Sequence, residues 1–174
     1  YPHITFKFHQ NHTHTQLKEL KHGSLDLCLL ASMEHENPIE WTELWRDELF
    51  VIVQTNHPLA ARKSIRLKEI ANESFIALKK GYALRKTTDE IFENEGLKPI
   101  ISFEGDEVAT VAGFIAAGLG YSILPYGEEM DKMTKLKIED ASYERVIGMA
   151  VVKDRYLSPA AKLFHQFVLD YFLV

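Results

Sequence analysis

Residues 117–125 read Ala-Gly-Leu-Gly-Tyr-Ser-Ile-Leu-Pro, a helix end followed by a short apolar strand. The apolar helical pattern over residues 107–117 stops at Gly118, and the strand stops at Pro125. Because Gly118 and Gly120 follow a helix, and no further glycine stands at nucleotide-binding spacing, they predict a helix stop and not a dinucleotide site. In both directions from this stretch strands and helices alternate, which predicts an α/β fold with mainly parallel sheets.

The apolar spacing along the chain predicts the remaining elements. Predicted strands cover residues 4–8, 25–30, 49–53, 74–78, 99–103 and 121–124, with two more near Leu136 and at 145–152. Predicted helices cover residues 13–22, 82–95, 107–117 and the stretch after Ser158-Pro159, with short helices within 64–70 and 127–132. The run 25–30 is almost continuously apolar, as in a parallel strand that is buried on both faces. Residues 34–48 are acidic and are predicted to be irregular.

Composition restricts the class of protein. The chain has 174 residues, is 46% hydrophobic and carries a net charge of −5, which indicates a folded globular chain and not a disordered one. With 20 basic and 25 acidic residues, it is not expected to hold DNA by itself. Glycines and a proline break its longest uncharged stretch, so no transmembrane helix is predicted, nor is a signal peptide seen. The start at Tyr1 instead of a methionine predicts a piece of a longer protein.

Three predicted loops lie where a ligand would bind, because ligands of α/β sheets bind at the carboxyl ends of strands. They are residues 11–15, 79–84 and 104–108. Thr13 is predicted to cap its helix, whose free N–H groups favour an anion. Two roles are open for Thr13: it caps the helix and does nothing else, or it caps the helix and also contacts a ligand. Asp106 is predicted to cap the helix over 107–117.

The charges of these loops are divided. Lys79, Lys80 and Arg85 favour a carboxylate next to the 79–84 loop, unless they are simply solvated. Asp106 and Glu107 in the facing loop argue against a purely anionic ligand. A ligand with both an amine and a carboxylate would satisfy both loops.

Three segments at characteristic spacings resemble one family. They are GSLDL at 23–27, HPLA at 57–60 and AGLGYSILP at 117–125. In this order they resemble the effector-binding domain of LysR-type transcriptional regulators, and the resemblance extends from Tyr1-Pro2 to the last helix. Members of that family also carry an N-terminal winged helix-turn-helix, and their regulatory domain opens with one more strand and helix than is present in this chain.

The resemblance implies a fold and a division of the chain. The fold would be two Rossmann-like lobes joined by two crossing strands, as in type 2 periplasmic binding proteins. Lobe I would comprise residues 1–46 and 154–174, and lobe II residues 47–153. The effector would lie in the cleft between the lobes. The effector-binding residues implied by family position and by the loop analysis are Thr13, Ala31, Ser32, Gly81, Tyr82, Ala83, Leu84, Gly105, Asp106, Glu107 and Val108. Of these, Ser32 could donate a hydrogen bond or be an ordinary loop serine.

Other reactive residues favour neither a metal site nor catalysis. His9, His12 and His14 could ligate zinc, but a polar, pH-sensitive loop is the simpler interpretation. Cys28, the single cysteine, lies in an apolar run and is predicted to be an inert core residue. The sequence contains no G-x-S-x-G and no P-loop, so no enzyme activity and no cofactor are expected.

The sequence therefore predicts the small-molecule-sensing domain of a cytoplasmic LysR-type regulator. It would reach DNA only through the missing N-terminal domain, and it would have no membrane partner. Family position assigns homodimer or homotetramer contacts to the helices 13–22 and 107–117. The alternatives are a solute-binding protein of a transport system with the same two-lobe fold, or an enzyme built on that fold.

Overall fold

The protein is described by a computed structural model that covers residues 1–31, 36–127, 130, 132–140 and 142–173. In chain order its elements are α1 (Thr13–His22), β1 (Cys28–Ala31), β2 (Ile39–Gln54), β3 (Ser64–Ile65), a 3-10 turn (Leu67–Glu69), β4 (Ser74–Leu78), α2 (Ala83–Asn94), β5 (Ile100–Gly105), α3 (Val108–Ala116), β6 (Ser122–Pro125), β7 (Met133–Ile138), β8 (Glu144–Val152) and α4 (Pro159–Phe172).

The chain divides into two compact units. Unit 1 comprises Tyr1–Arg46 and Val146–Val174, and unit 2 comprises Asp47–Arg145. Both boundaries fall inside strands, because β2 and β8 each contribute residues to both units. Residues 146–153, predicted to belong to lobe II, fall within unit 1.

Unit 1 is built from α1, α4 and an antiparallel strand pair. β1 pairs with β8, with Cys28 opposite Ala150. Leu17 and Leu20 on α1 pack with Cys28 and Leu30 into one buried cluster. The helix α1 ends at Gly23, whose φ of 81° is the left-handed conformation that glycine adopts at little cost.

Unit 2 contains a mixed sheet and a separate parallel pair. β2 is flanked by β6 and β7, both antiparallel to it, and β3 runs parallel to β7. β4 and β5 pair in parallel. Phe75 on β4 is fully buried between Phe92 of α2 and Tyr121, with ring centroids 5.0 and 5.3 Å away. The aromatic contacts therefore fix β4 in the core of unit 2.

Elements with strong local signals were predicted correctly. The observed bounds lie within one or two residues of the predicted ones for α1, α2, β4 and β8, and β7 contains Leu136, near which a strand was predicted. α4 begins as expected: the Ser158 hydroxyl accepts a hydrogen bond from the Ala161 N–H at 3.2 Å, and Pro159 takes the first helical position. Gly118 ends α3 with a φ of 75°, which confirms the predicted helix stop.

Predictions that depended on strand partners were wrong in three places. Residues 4–8 form no strand; Phe6 packs on Phe164 instead, with ring centroids 4.9 Å apart. The run predicted to be a parallel strand buried on both faces is antiparallel, and Leu29 is 46% exposed. The stretch predicted to be irregular contains the first half of β2, from Ile39 onward. The sheets are consequently mixed and not mainly parallel.

The short helix predicted within 127–132 falls largely outside the described residues. Among the residues that the structure describes, no helix has both the length and the apolar character needed to span a bilayer.

Candidate functional site

Two of the predicted loops lie side by side in unit 2. β4 and β5 run in parallel and end together, with Leu78 opposite Gly105. The loops that follow them are residues 79–82 and residues 106–107, which we call the paired loops. The Lys79 N–H donates to the Gly105 carbonyl oxygen at 2.9 Å and so joins the two loops at their base. The parallel register therefore brings together the predicted residues 81–84 and 105–108.

Each of the paired loops leads directly into a helix. α2 starts after its N-cap residue Tyr82, and α3 starts after its N-cap residue Glu107. Neither N-cap side chain accepts a hydrogen bond from its own helix. Because the first N–H groups of an α-helix have no intrahelical acceptor and sit at the positive end of its dipole, both helix starts favour an anionic or hydrogen-bond-accepting ligand.

The predicted capping role of Asp106 is wrong, because the helix begins one residue later than expected. Asp106 instead accepts a hydrogen bond from the Lys79 ammonium at 2.7 Å, across the paired loops. Both side chains are about half exposed, at 57% and 50%. The hydrogen bond to Asp106 raises the pKa of Lys79 above its ordinary value.

The three cations predicted to serve a carboxylate have different surroundings. Arg85 is buried, and its guanidinium donates to the Leu78 carbonyl and to the carboxylates of Asp89 and Glu104. Burial acts to lower the pKa of Arg85, but these carboxylate hydrogen bonds outweigh it and the pKa is raised. Lys79 is paired with Asp106, whereas Lys80 is exposed on the same loop.

Several of the predicted residues can offer only main-chain groups. Leu84 is 5% exposed and belongs to the core of unit 2. Gly105 is buried, and a Cβ there would lie 3.0 Å from the Val111 Cγ2 atom. Gly81 has a φ of 99°, so the turn before α2 needs glycine. Ala83 and Val108 are half-buried at the helix starts.

The unit 1 residues of the predicted site lie on separate elements. Thr13 is the first residue of α1, and the N-cap position belongs to His12, so the predicted cap by Thr13 is wrong by one residue. The Gln16 N–H donates to the His12 carbonyl at 3.0 Å. Ala31 ends β1, and Ser32 lies outside the described residues.

The histidines and the cysteine form no further site in the described part of the chain. Among those residues, no three His, Cys, Asp or Glu side chains gather at a position that could hold a metal ion. Cys28 is buried, as predicted, and its Sγ lies 3.8 Å from the Gln16 carbonyl oxygen. Burial raises the pKa of the Cys28 thiol to about 11, so little thiolate exists near neutral pH.

Sequence reasoning missed the partners of Arg85. Its pairing with Asp89 follows a spacing of four residues on one helix, a signal that the sequence contains. Its pairing with Glu104 depends on the register of β4 against β5, which no local pattern gives.

The chain forms two α/β units that β2 and β8 connect, and comparison with known proteins gives the family. The model of the LysR substrate binding domain matches residues 1–173, and the chain belongs to this domain family. The predicted family and fold class are confirmed, and a transport binding protein is not favoured.

The similar proteins include regulators and ligand complexes. The chain is 55% identical over 174 residues to the uncharacterized HTH-type transcriptional regulator YybE of Bacillus subtilis (strain 168), covering 99% of this chain and 60% of that protein. It is 29% identical to the transcriptional dual regulator GltC of the same organism, covering 99% and 59%. The effector-binding domain of QuiR in complex with shikimate matches with a TM-score of 0.89 and 33% identity, covering 98% of this chain and 82% of that one. The chain thus spans about 60% of the length of these curated relatives.

Proposed function

We propose that this chain is the effector-sensing domain of a LysR-type transcriptional regulator and that it acts by binding a small metabolite, without enzyme activity, in the cytoplasm. The observation that carries the proposal is the match of the family model to residues 1–173. The parent regulator would contact DNA through a helix-turn-helix outside these residues. The net charge of −5 supports that division, because no excess of positive charge is present to neutralise phosphates.

The ligand surface in unit 2 would be the paired loops with the starts of α2 and α3. Their main-chain N–H groups suit a carboxylate, and the shikimate bound by the QuiR domain is a carboxylate. In unit 1 the family resemblance adds Thr13, Ala31 and Ser32. An effector would shift the conformation of the domain only in proportion to its different affinities for the two states.

The Lys79–Asp106 pair supplies the test of this ligand surface. Calorimetric titrations of the domain with shikimate, succinate and glutamate compare a monocarboxylate, a dicarboxylate and an amino acid. We expect Lys79→Ala to weaken carboxylate binding. Asp106→Asn is expected to strengthen it, because the substitution removes a negative charge and releases the Lys79 ammonium.

Arg62→Ala is the matched control, because it breaks the Arg62–Glu69 ion pair of unit 2 outside the paired loops. Its carboxylate affinity should equal that of the wild type. Identical affinities in all three variants would refute the paired loops as the ligand surface. Failure of all three probes to bind would refute a carboxylate effector.

We further propose that the regulator is a homodimer or homotetramer, with contacts on the helices 13–22 and 107–117 as the resemblance implies. An exposed apolar row next to α3 supports the second surface. Ile100 and Phe103 on the edge strand β5 are 53% and 39% exposed, and the Phe103 ring lies 5.6 Å from that of Phe114. Exposed apolar residues on an edge strand are typical of a surface that pairs with another chain.

Light scattering coupled to size exclusion tests the proposed assembly. Phe103→Glu should dissociate the dimer, because it places a charge in the apolar contact. Tyr156→Glu is the control: Tyr156 is 78% exposed and lies outside both surfaces, so its variant should remain dimeric. A monomeric wild type at high concentration, or a Phe103→Glu variant that stays dimeric, would contradict the proposal.

A further inference from the structure

Arg85 makes an unusual set of contacts below the paired loops. It is the third residue of α2, and its side chain is only 6% exposed. One guanidinium nitrogen donates to the Leu78 carbonyl at 2.9 Å and to the Glu104 carboxylate at 2.5 Å. A second nitrogen donates to the Asp89 carboxylate at 2.8 and 3.0 Å. One side chain therefore joins the last residue of β4, the strand β5 and the helix α2.

This position is an unfavourable one for a positive charge. The N-terminal end of a helix carries a partial positive charge, so a cation in the first turn is repelled by the helix dipole. Burial of the guanidinium adds a desolvation cost that only charged or polar partners offset. Stabilisation of α2 alone would be better served by an acidic residue, so the contacts to β4 and β5 indicate another role.

The contacts lie directly below the candidate ligand surface. Leu78 immediately precedes one of the paired loops, and Glu104 stands two residues before the other. The guanidinium thus ties the starting points of both loops to the start of α2. Since a guanidinium is planar and its donors have fixed directions, it restrains orientation as well as distance.

We propose that Arg85 is a positioning residue that holds the paired loops in one arrangement before any ligand arrives. The proposal rests on the proposed function only where it treats these loops as a ligand surface; the order of the loops is a property of the free domain. Pre-organisation of this kind lowers the conformational cost of binding, because the loops need no further ordering when the ligand is bound.

The two carboxylates on Arg85 provide a matched pair of variants. Glu104→Ala removes the link to β5, and Asp89→Ala removes only a link within α2. The two carboxylates are similarly exposed, at 44% and 48%, so both variants are expected to fold. If Arg85 needed only charge neutralisation, the two variants would behave alike.

Amide hydrogen exchange on the free domain, measured by NMR, reports how well the base of the paired loops is ordered. The Lys79 N–H is the reporter, because it donates to Gly105 at the base of the paired loops. The Ile76 N–H on β4 is the internal control, because it donates to the Tyr121 carbonyl oxygen at 2.8 Å. In Glu104→Ala we expect exchange at Lys79 to accelerate about tenfold, as for the loss of one hydrogen bond to a charged group. In Asp89→Ala we expect a change of less than about twofold.

Equal acceleration in the two variants, or none in either, would overturn the positioning role. So would acceleration at Ile76 as large as at Lys79, which would indicate general loosening of unit 2. An Arg85→Met variant should accelerate exchange at Lys79 at least as much as Glu104→Ala. Titrations of the wild type with shikimate, succinate and glutamate test the proposed ligand class separately. If none of the three bound, the result would count against that class and not against Arg85, because exchange is measured without ligand.

Discussion

Two glycines separated by one residue should differ sharply in their tolerance of alanine. Gly118 has a φ of 75°, and a Cβ there would meet the Gln54 Oε1 atom at 2.9 Å, the far end of a flexible side chain. Gly120 has a φ of 155°, and a Cβ there would overlap the main-chain carbonyl oxygen of Ser74. A side-chain amide can rotate away from a new methyl group, whereas a main-chain carbonyl within a strand cannot.

The structure sets the size of each effect. Gly118→Ala costs the left-handed conformation of one non-glycine residue, about 1–2 kcal/mol. Gly120→Ala displaces the Ser74 carbonyl, which accepts from the Tyr121 N–H at 3.0 Å, and disturbs the reciprocal bond from Ile76 to Tyr121 at 2.8 Å. A buried main-chain group left unsatisfied costs roughly 1–3 kcal/mol, so losing both bonds costs roughly 2–6 kcal/mol.

Urea unfolding followed by far-ultraviolet circular dichroism measures both variants against the wild type. We expect Gly120→Ala to lose more free energy of unfolding than Gly118→Ala, by roughly 2.5 kcal/mol between the mid-points of the two ranges. Tryptophan fluorescence is the wrong probe here, because Trp41 and Trp45, the only two tryptophans, both belong to unit 1. Equal stability of the two variants would refute the argument that the Ser74 carbonyl determines the need for glycine.

Three further predictions concern stability and reactivity. Ser158→Ala should lower the free energy of unfolding by about 1 kcal/mol in thermal melts, whereas Ser158→Asp, which keeps a cap acceptor, should not. Cys28 should resist a thiol reagent at pH 8 in the folded protein and react in urea, because burial raises its pKa to about 11; rapid labelling of the native chain would contradict this. Burial and the hydrogen bond to Glu95 raise the pKa of Tyr143 from 10.0 to about 12. The stability that the protonated tyrosine adds to the folded state is therefore fully present below pH 10 and is lost as the pH rises to 12. Tyr143→Phe should flatten that part of the stability–pH curve, and an unchanged curve would exclude this tyrosine as its source.

Local signals were sufficient where an element is defined by its own residues. α4 could be placed from Ser158-Pro159 because a cap and a helix-starting proline act within one turn. The stop at Gly118 was equally local, since a left-handed residue ends a helix without help from distant parts of the chain.

Strands required information that lies far away in the sequence. Residues 4–8 have the alternation of a half-buried strand, but a strand also needs a hydrogen-bonding neighbour. Phe6 instead stacks on Phe8 and contacts Phe164 edge-to-face. The direction of β1 depends on β8, more than a hundred residues later, where Cys28 meets Ala150. No pattern within residues 25–30 distinguishes an antiparallel partner from a parallel one.

In the candidate site, too, some features follow from local sequence and others depend on residues that are distant in the chain. The loops after β4 and β5 were predictable, because each follows an apolar run that ends before a helix. The ion pair between Lys79 and Asp106 joins residues 27 apart, and the pair between Arg85 and Glu104 joins residues 19 apart. These contacts depend on the register of two strands, so the charges of the site were visible in the sequence while their mutual neutralisation was not.

In the sequence, unit 2 lies between the two segments of unit 1, and this order has a consequence for synthesis. A ribosome releases Asp47–Arg145 as one uninterrupted stretch, whereas unit 1 is complete only after Val146–Val174 has also been synthesised. The nascent chain can therefore form the hydrophobic core of unit 2 around Phe75 while β1 still lacks β8, its antiparallel neighbour. Until Ala150 and Val152 emerge, the apolar cluster that contains Leu20 and Leu30 is incomplete, and the newly made α1 and β1 expose apolar surface that the finished unit 1 buries.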